Sequence, residues 1–159
     1  MLTKEIIDIL KKVHFLAKDQ KQQRYKSDEI QEFDLSDIDI DKLFFERESS
    51  ELLKFLSLQD YKTALIILTV MYIGSDYIPE TEEEYEKRME YNYDNPEDPI
   101  PAPSLRCANP NALLKEWLPM IEHSGSYKKH GKNIVVDQIY GKELALDEYL
   151  EKSFVILGI

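Results

Sequence analysis

The stretch "TALIILTVMYIGSDY", residues 63–77, decides the fold. It holds an almost unbroken apolar run from Ala64 to Ile73, set in acidic surroundings. A buried strand, a buried helix and a membrane span all compete for it. The span fails on length, because the run covers about ten residues and a membrane helix needs about twenty. The β-branched Ile66, Ile67, Thr69, Val70 and Ile73 favour a strand. The boundary signals favour a helix. Ser57 followed by Asp60 approximates a capping box ahead of a helix from Leu58. Gly74 suits the left-handed position that commonly ends one. No second convincing strand is present to pair with it. The stretch therefore predicts a helix over 58–73, apolar on most faces and so surrounded by other helices.

Outward from that helix the pattern stays helical. Thr3 can cap a helix over 4–20, where Ile6, Ile9, Leu10, Val13, Leu16 and Ala17 recur at helical spacing. Ser50 can cap a short helix through Leu56. Pro79 is followed by Thr81 and Glu84, a second capping box, which opens an amphipathic helix over 82–93. Residues 95–108 hold Pro96, Pro99, Pro101 and Pro103 and must be extended or turn-like, as an ordered connector or a mobile loop. Asn109 and Pro110 form an N-cap with proline at the first helical position. The helix they open presents Leu113, Leu114, Trp117, Leu118 and Ile121, and Pro119 kinks or ends it. "HSGSYKKHGK" reads as a polar connector, "NIVVDQIYG" as a short strand or a helical turn, and "LDEYLEKSFVILG" as a last helix stopped by Gly158. Residues 21–51, with the alternating "SDIDID", read as an ordered loop, since Asp is poor in strands. The expectation is an all-α single domain over 1–159, an orthogonal bundle of five or six helices around the central apolar helix 58–73.

Composition narrows the function classes. The 159 residues are 43% hydrophobic, and 31 Asp+Glu against 20 Lys+Arg give a net charge of −11. Such a charge repels nucleic-acid phosphate and suits a basic protein partner. Cys107 is the single cysteine, which fits a reducing, cytoplasmic compartment. The N-terminus lacks the basic and apolar regions of a signal peptide.

Sites of chemistry are few. Asp37, Asp39, Asp41 and Glu48 approach calcium-loop spacing, but Lys42 stands where the turn requires glycine, so the segment reads as a solvated acidic loop. Glu82, Glu83, Glu84, Glu86 and Glu90 have no Glu-x-x-His to complete a carboxylate metal centre and read as a solvated face. His14, His123 and His130 have no metal-ligand spacing, and no glycine-built phosphate loop occurs. "YKKHGK", residues 127–132, reads as a local salt-bridging surface. No cofactor is expected. Tyr85, Met89 and Tyr93 recur every four residues and form a stripe suited to an interface. Tyr91, Tyr127 and Tyr140 fall in similarly polar settings. Ser75 and Asp76, at the end of the central helix, complete the candidate interaction surface.

Two stretches, "LLKFLSLQDYKTALIILTVMYIGSDY" and "LALDEYLEKSFVILG", carry a wider pattern. A leucine-rich turn precedes an apolar helix ending in Tyr72-Ile73-Gly74-Ser75-Asp76. A closing helix carries Leu146, Tyr149, Leu150 and Glu151 and ends in Leu157-Gly158. Over roughly 50–78 and 143–159 this resembles a family of small bacterial proteins, the domain-of-unknown-function family 3775. The family turn is Gly-Arg-Gly-Asp, whereas here Ser75 replaces the arginine and second glycine. The resemblance implies an all-helical fold in a bacterial cytosol, and no activity. The expectation is a non-enzymatic interaction module binding a basic partner, with an immunity- or antitoxin-like protein masking a basic toxin site as one form. The alternatives are a homodimer through the Tyr85/Met89/Tyr93 stripe and an enzyme with a carboxylate site, with or without a divalent metal.

Overall fold

The computed structural model describes residues 2–28, 47 and 49–159. Among these, every regular element is helical, and the helices number eight. They are α1 (Lys4–Asp28), α2 (Glu51–Leu58), α3 (Tyr61–Asp76), α4 (Glu82–Asp94), α5 (Pro110–Ser124), α6 (Tyr127–His130), α7 (Lys132–Tyr140) and α8 (Glu143–Leu157). The all-α class is as expected, with more helices than the five or six read from the sequence. The acidic loop containing Asp37, Asp39, Asp41 and Glu48 lies outside the described residues. No described helix is long and apolar enough to cross a membrane.

The opening stretch forms α3, the centre of the molecule. Every residue from Ala64 to Met71 is buried, as are Ile73 and Gly74. A helix apolar all round needs neighbours on all sides. Here α8, α7 and α5 pack around it, while α1 covers α8 and α2. Thr69 is fully buried, and its hydroxyl donates to the Leu65 carbonyl at 2.8 Å, so its polar atom is satisfied within the helix.

Both boundary signals proposed for α3 are corrected. Ser57 does not cap it. Ser57 lies inside α2, where its hydroxyl donates back to the Leu53 carbonyl at 2.8 Å. The cap is Asp60, whose carboxylate accepts the Thr63 N–H at 2.7 Å. That bond also holds the Asp60 carboxyl below its usual range. Nor is Gly74 a left-handed terminator. Only Gly131 and Gly158 among the described glycines have positive φ. Gly74 sits within α3, which runs on to Asp76, and its role is steric. A Cβ there would lie 1.8 Å from the Tyr149 carbonyl oxygen, so α3 and α8 touch backbone to backbone at this point.

α1 extends eight residues past the expected end, to Asp28. Its second half is too polar for a periodicity argument, and ion pairs to the antiparallel α8 hold it. Lys18 meets Glu151 at 3.2 Å, and the His14 ring is within hydrogen-bond distance of the same carboxylate at 3.0 Å. Lys21 meets Glu148 at 2.7 Å and Asp147 at 3.3 Å, and Arg24 meets Glu143 at 2.7 Å. Thr3, Ser50, Thr81 and Asn109 cap their helices as expected. Pro119 does not end α5, which continues to Ser124. Lys115, four residues before it, is exposed, so water can satisfy the carbonyl that loses its partner. The supposed connector at 123–132 contains the turn of helix α6, and "NIVVDQIYG" is helical as α7 rather than a strand. Gly158 ends α8 in the left-handed conformation, at φ 67°.

Candidate functional site

α4 stands apart from the other long helices because it buries none of its residues. The sequence explains how it forms without a core. Its capping box is complete: Glu84 N–H donates to the Thr81 hydroxyl at 3.2 Å, and the Thr81 N–H donates to the Glu84 carboxylate at 2.8 Å. Glu82, Glu83 and Glu84 place negative charge at the N-terminal end of the helix dipole. Lys87 pairs with Glu83 one turn before it, at 2.5 Å.

Within α4 only Arg88 and Asn92 are half-buried, and every other residue is exposed. These two lie four apart, on one face, and act as polar clips. Arg88 grips Glu80 with two hydrogen bonds, at 3.1 Å from Nε and 2.7 Å from Nη2. This fork holds the Glu80 carboxyl below its usual range and raises the guanidinium. Asn92 binds the proline-rich connector in ladder fashion, donating to the Ile100 carbonyl at 3.0 Å and accepting the Ile100 N–H at 2.7 Å. The connector is tied at its far end too, where the Cys107 N–H donates to the Ile156 carbonyl at 2.9 Å.

The expected stripe is therefore displayed. Tyr85 and Met89 are close to half exposed, and Tyr93 is 88% exposed. The Arg88 guanidinium lies 5.5 Å from the Tyr85 ring centre, with cation–π geometry that steadies the ring. Tyr91, Ile78 and Ile100 add further exposed apolar surface along the same segment. Carboxylates frame the stripe. From Glu82 to Asp94 there are six, against the two cations Lys87 and Arg88, and both cations are already paired.

Ser75 is half-buried and Asp76 exposed at the end of α3. The Ser75 hydroxyl donates to the Tyr72 carbonyl at 3.2 Å and to Asp76 at 2.7 Å, so the pair completes the last turn of α3. Tyr127 and Tyr140, grouped with the interface tyrosines, are buried at 5% and 6% exposure. Their local sequence is polar, but α6 and α7 turn both rings inward. Tyr61, passed over in the sequence, donates its hydroxyl to Glu122 at 2.8 Å. Burial and that carboxylate push the phenol up to about 12. No three metal-ligating side chains gather among the described residues.

Comparison with known proteins found no matching family model, no matching curated protein and no matching solved structure.

Proposed function

We propose that the protein is a non-enzymatic interaction module that presents α4 to a basic partner. The supporting observation is that a thirteen-residue helix with no buried residue is nevertheless capped, clipped at Glu80 and Ile100, and striped with Tyr85, Met89 and Tyr93. Isolated helices of this length are marginal in water. The polar clips hold the helix in place, and the aromatic stripe contributes nothing to the core. Tyr and Met are residue types that interfaces favour, since they bury large area while the tyrosine hydroxyl stays hydrated. With its cations already paired, the surrounding surface offers spare negative charge, which raises the encounter rate of a basic protein and disfavours an acidic one.

The test is affinity capture with the whole protein as bait, wild type against a Tyr85→Ala, Met89→Ala, Tyr93→Ala variant, at low and moderate salt. The three side chains are exposed, so the circular-dichroism spectrum and melting temperature should stay close to wild type. A basic prey should be retained by the wild type, weaken with salt, and be lost with the variant. Identical background from both baits at both salt levels would overturn the proposal.

A further inference from the structure

The net charge of the chain is −11, yet the ten residues from His123 to Lys132 carry three lysines, two histidines and no carboxylate. The structure gathers part of this stretch around a cavity of about 210 Å³ between the end of α5 and α6, lined by Pro119, Glu122, His123, Ser126, Lys128 and Lys129. Among the described residues neither Lys128 nor Lys129 makes an ion pair, so the expected salt-bridging role is not seen at either. Lys132 turns away and donates to the Ser57 carbonyl at 2.8 Å. Glu122, the one carboxylate on the rim, accepts the Tyr61 hydroxyl.

The loop carrying these groups is held in place. Tyr127 is buried, and its ring lies so close to Gly125 that a Cβ there would sit 2.1 Å from Cζ. Ser126 has φ 50°, the only positive φ at a non-glycine among the described residues. Its carbonyl accepts the Lys129 and His130 N–H groups at 3.0 and 3.2 Å, which starts α6 and sets Lys128 and Lys129 beside the cavity. Its hydroxyl makes no cap hydrogen bond. A left-handed, non-glycine residue thus stands beside two lysines that line the cavity, and such sparsely populated backbone clusters at ligand sites.

From this we infer that the cavity binds a small oxyanion of the phosphate class, with Lys128 and Lys129 supplying charge and the His123 ring and the Ser126 hydroxyl supplying hydrogen bonds. Lysine binds phosphate as a point charge and needs no fork geometry. Two lysines suit a group carrying close to two negative charges. A polyanion is disfavoured by the net charge of the whole chain. The ligand is the free ion or a small phosphomonoester.

The test is an amide-resolved NMR titration at constant ionic strength, with inorganic phosphate in one arm and O-phosphoserine in the other. Saturable shifts centred on His123, Ser126, Lys128 and Lys129 are expected. A Lys128→Gln, Lys129→Gln variant should lose about tenfold in affinity or more, while Tyr85→Ala should bind like wild type. Tighter binding of phosphoserine identifies an organic monoester as the ligand type, and equal binding identifies the ion. Absence of saturable shifts at about 10 mM of either probe, or equal shifts in the double-lysine variant, overturns the inference.

Discussion

Replacing Gly74 with alanine tests how α3 and α8 meet. The added Cβ would lie 1.8 Å from the Tyr149 carbonyl oxygen, 2.7 Å from its carbonyl carbon and 3.1 Å from its Cα. Ordinary contact begins at 3.4 Å, so the oxygen must retreat by 3.4 − 1.8 = 1.6 Å. The opposing atoms are backbone, and no rotamer change can clear them. The two helices must separate along the most extensive interface of the core, loosening fully buried Ile67, Met71, Leu146 and Leu150. Overpacking of this kind costs about 1–3 kcal/mol, and more where nothing can yield. Alanine regains about 1 kcal/mol of helix propensity over glycine. We expect a net loss of about 2 kcal/mol, which lowers the melting temperature by about 4–8 °C in a chain of this size. Urea denaturation followed by circular dichroism measures the loss directly. Gly74→Asn separates this account from the terminator reading. At a left-handed helix end asparagine is the best-tolerated replacement, whereas at a helix crossing its greater bulk makes it worse than alanine. An alanine variant as stable as wild type, or an asparagine variant more stable than the alanine one, would refute the close crossing.

Two further outcomes follow from the geometry. Asp60→Ala should lose about 1 kcal/mol by removing the α3 cap, while Ser57→Ala should be close to neutral; the reverse order in thermal melts would restore the sequence-derived cap. Tyr61 is protonated more firmly in the folded state, at about 12 against an ordinary 10.0, so its contribution is complete below pH 10 and lost as pH rises towards 12. Tyr61→Phe should therefore flatten the alkaline decline in stability and remove the most alkaline component from the tyrosine ultraviolet titration, and an unchanged titration would contradict the Glu122 pairing.

The helical class, the central position of residues 63–77 and the caps at Thr3, Ser50, Thr81 and Asn109 were legible in the sequence. Each rests on neighbours within a few residues, where spacing alone determines which atoms meet. The exposed stripe of α4 was legible for the same reason, because Tyr85, Met89 and Tyr93 share a helix face whatever the rest of the chain does. Other features depended on partners far along the chain. The second half of α1 is polar and reads as a loop until Glu143, Asp147, Glu148 and Glu151 come alongside it. Gly74 carries a stop signal in the sequence, and only the approach of Tyr149, seventy-five positions later, shows that its missing side chain makes room for a helix. Tyr127 and Tyr140 look like surface residues beside their polar neighbours, and packing against the core sends both inward. Lys128 and Lys129 read as salt-bridge formers in an acidic chain, yet no carboxylate among the described residues lies within pairing distance. Local spacing thus determined the helical class and where four of the eight described helices begin. Which faces meet, which lysines lack a carboxylate among the described residues and which glycine makes room for a helix were decided by contacts that exist only once the helices pack.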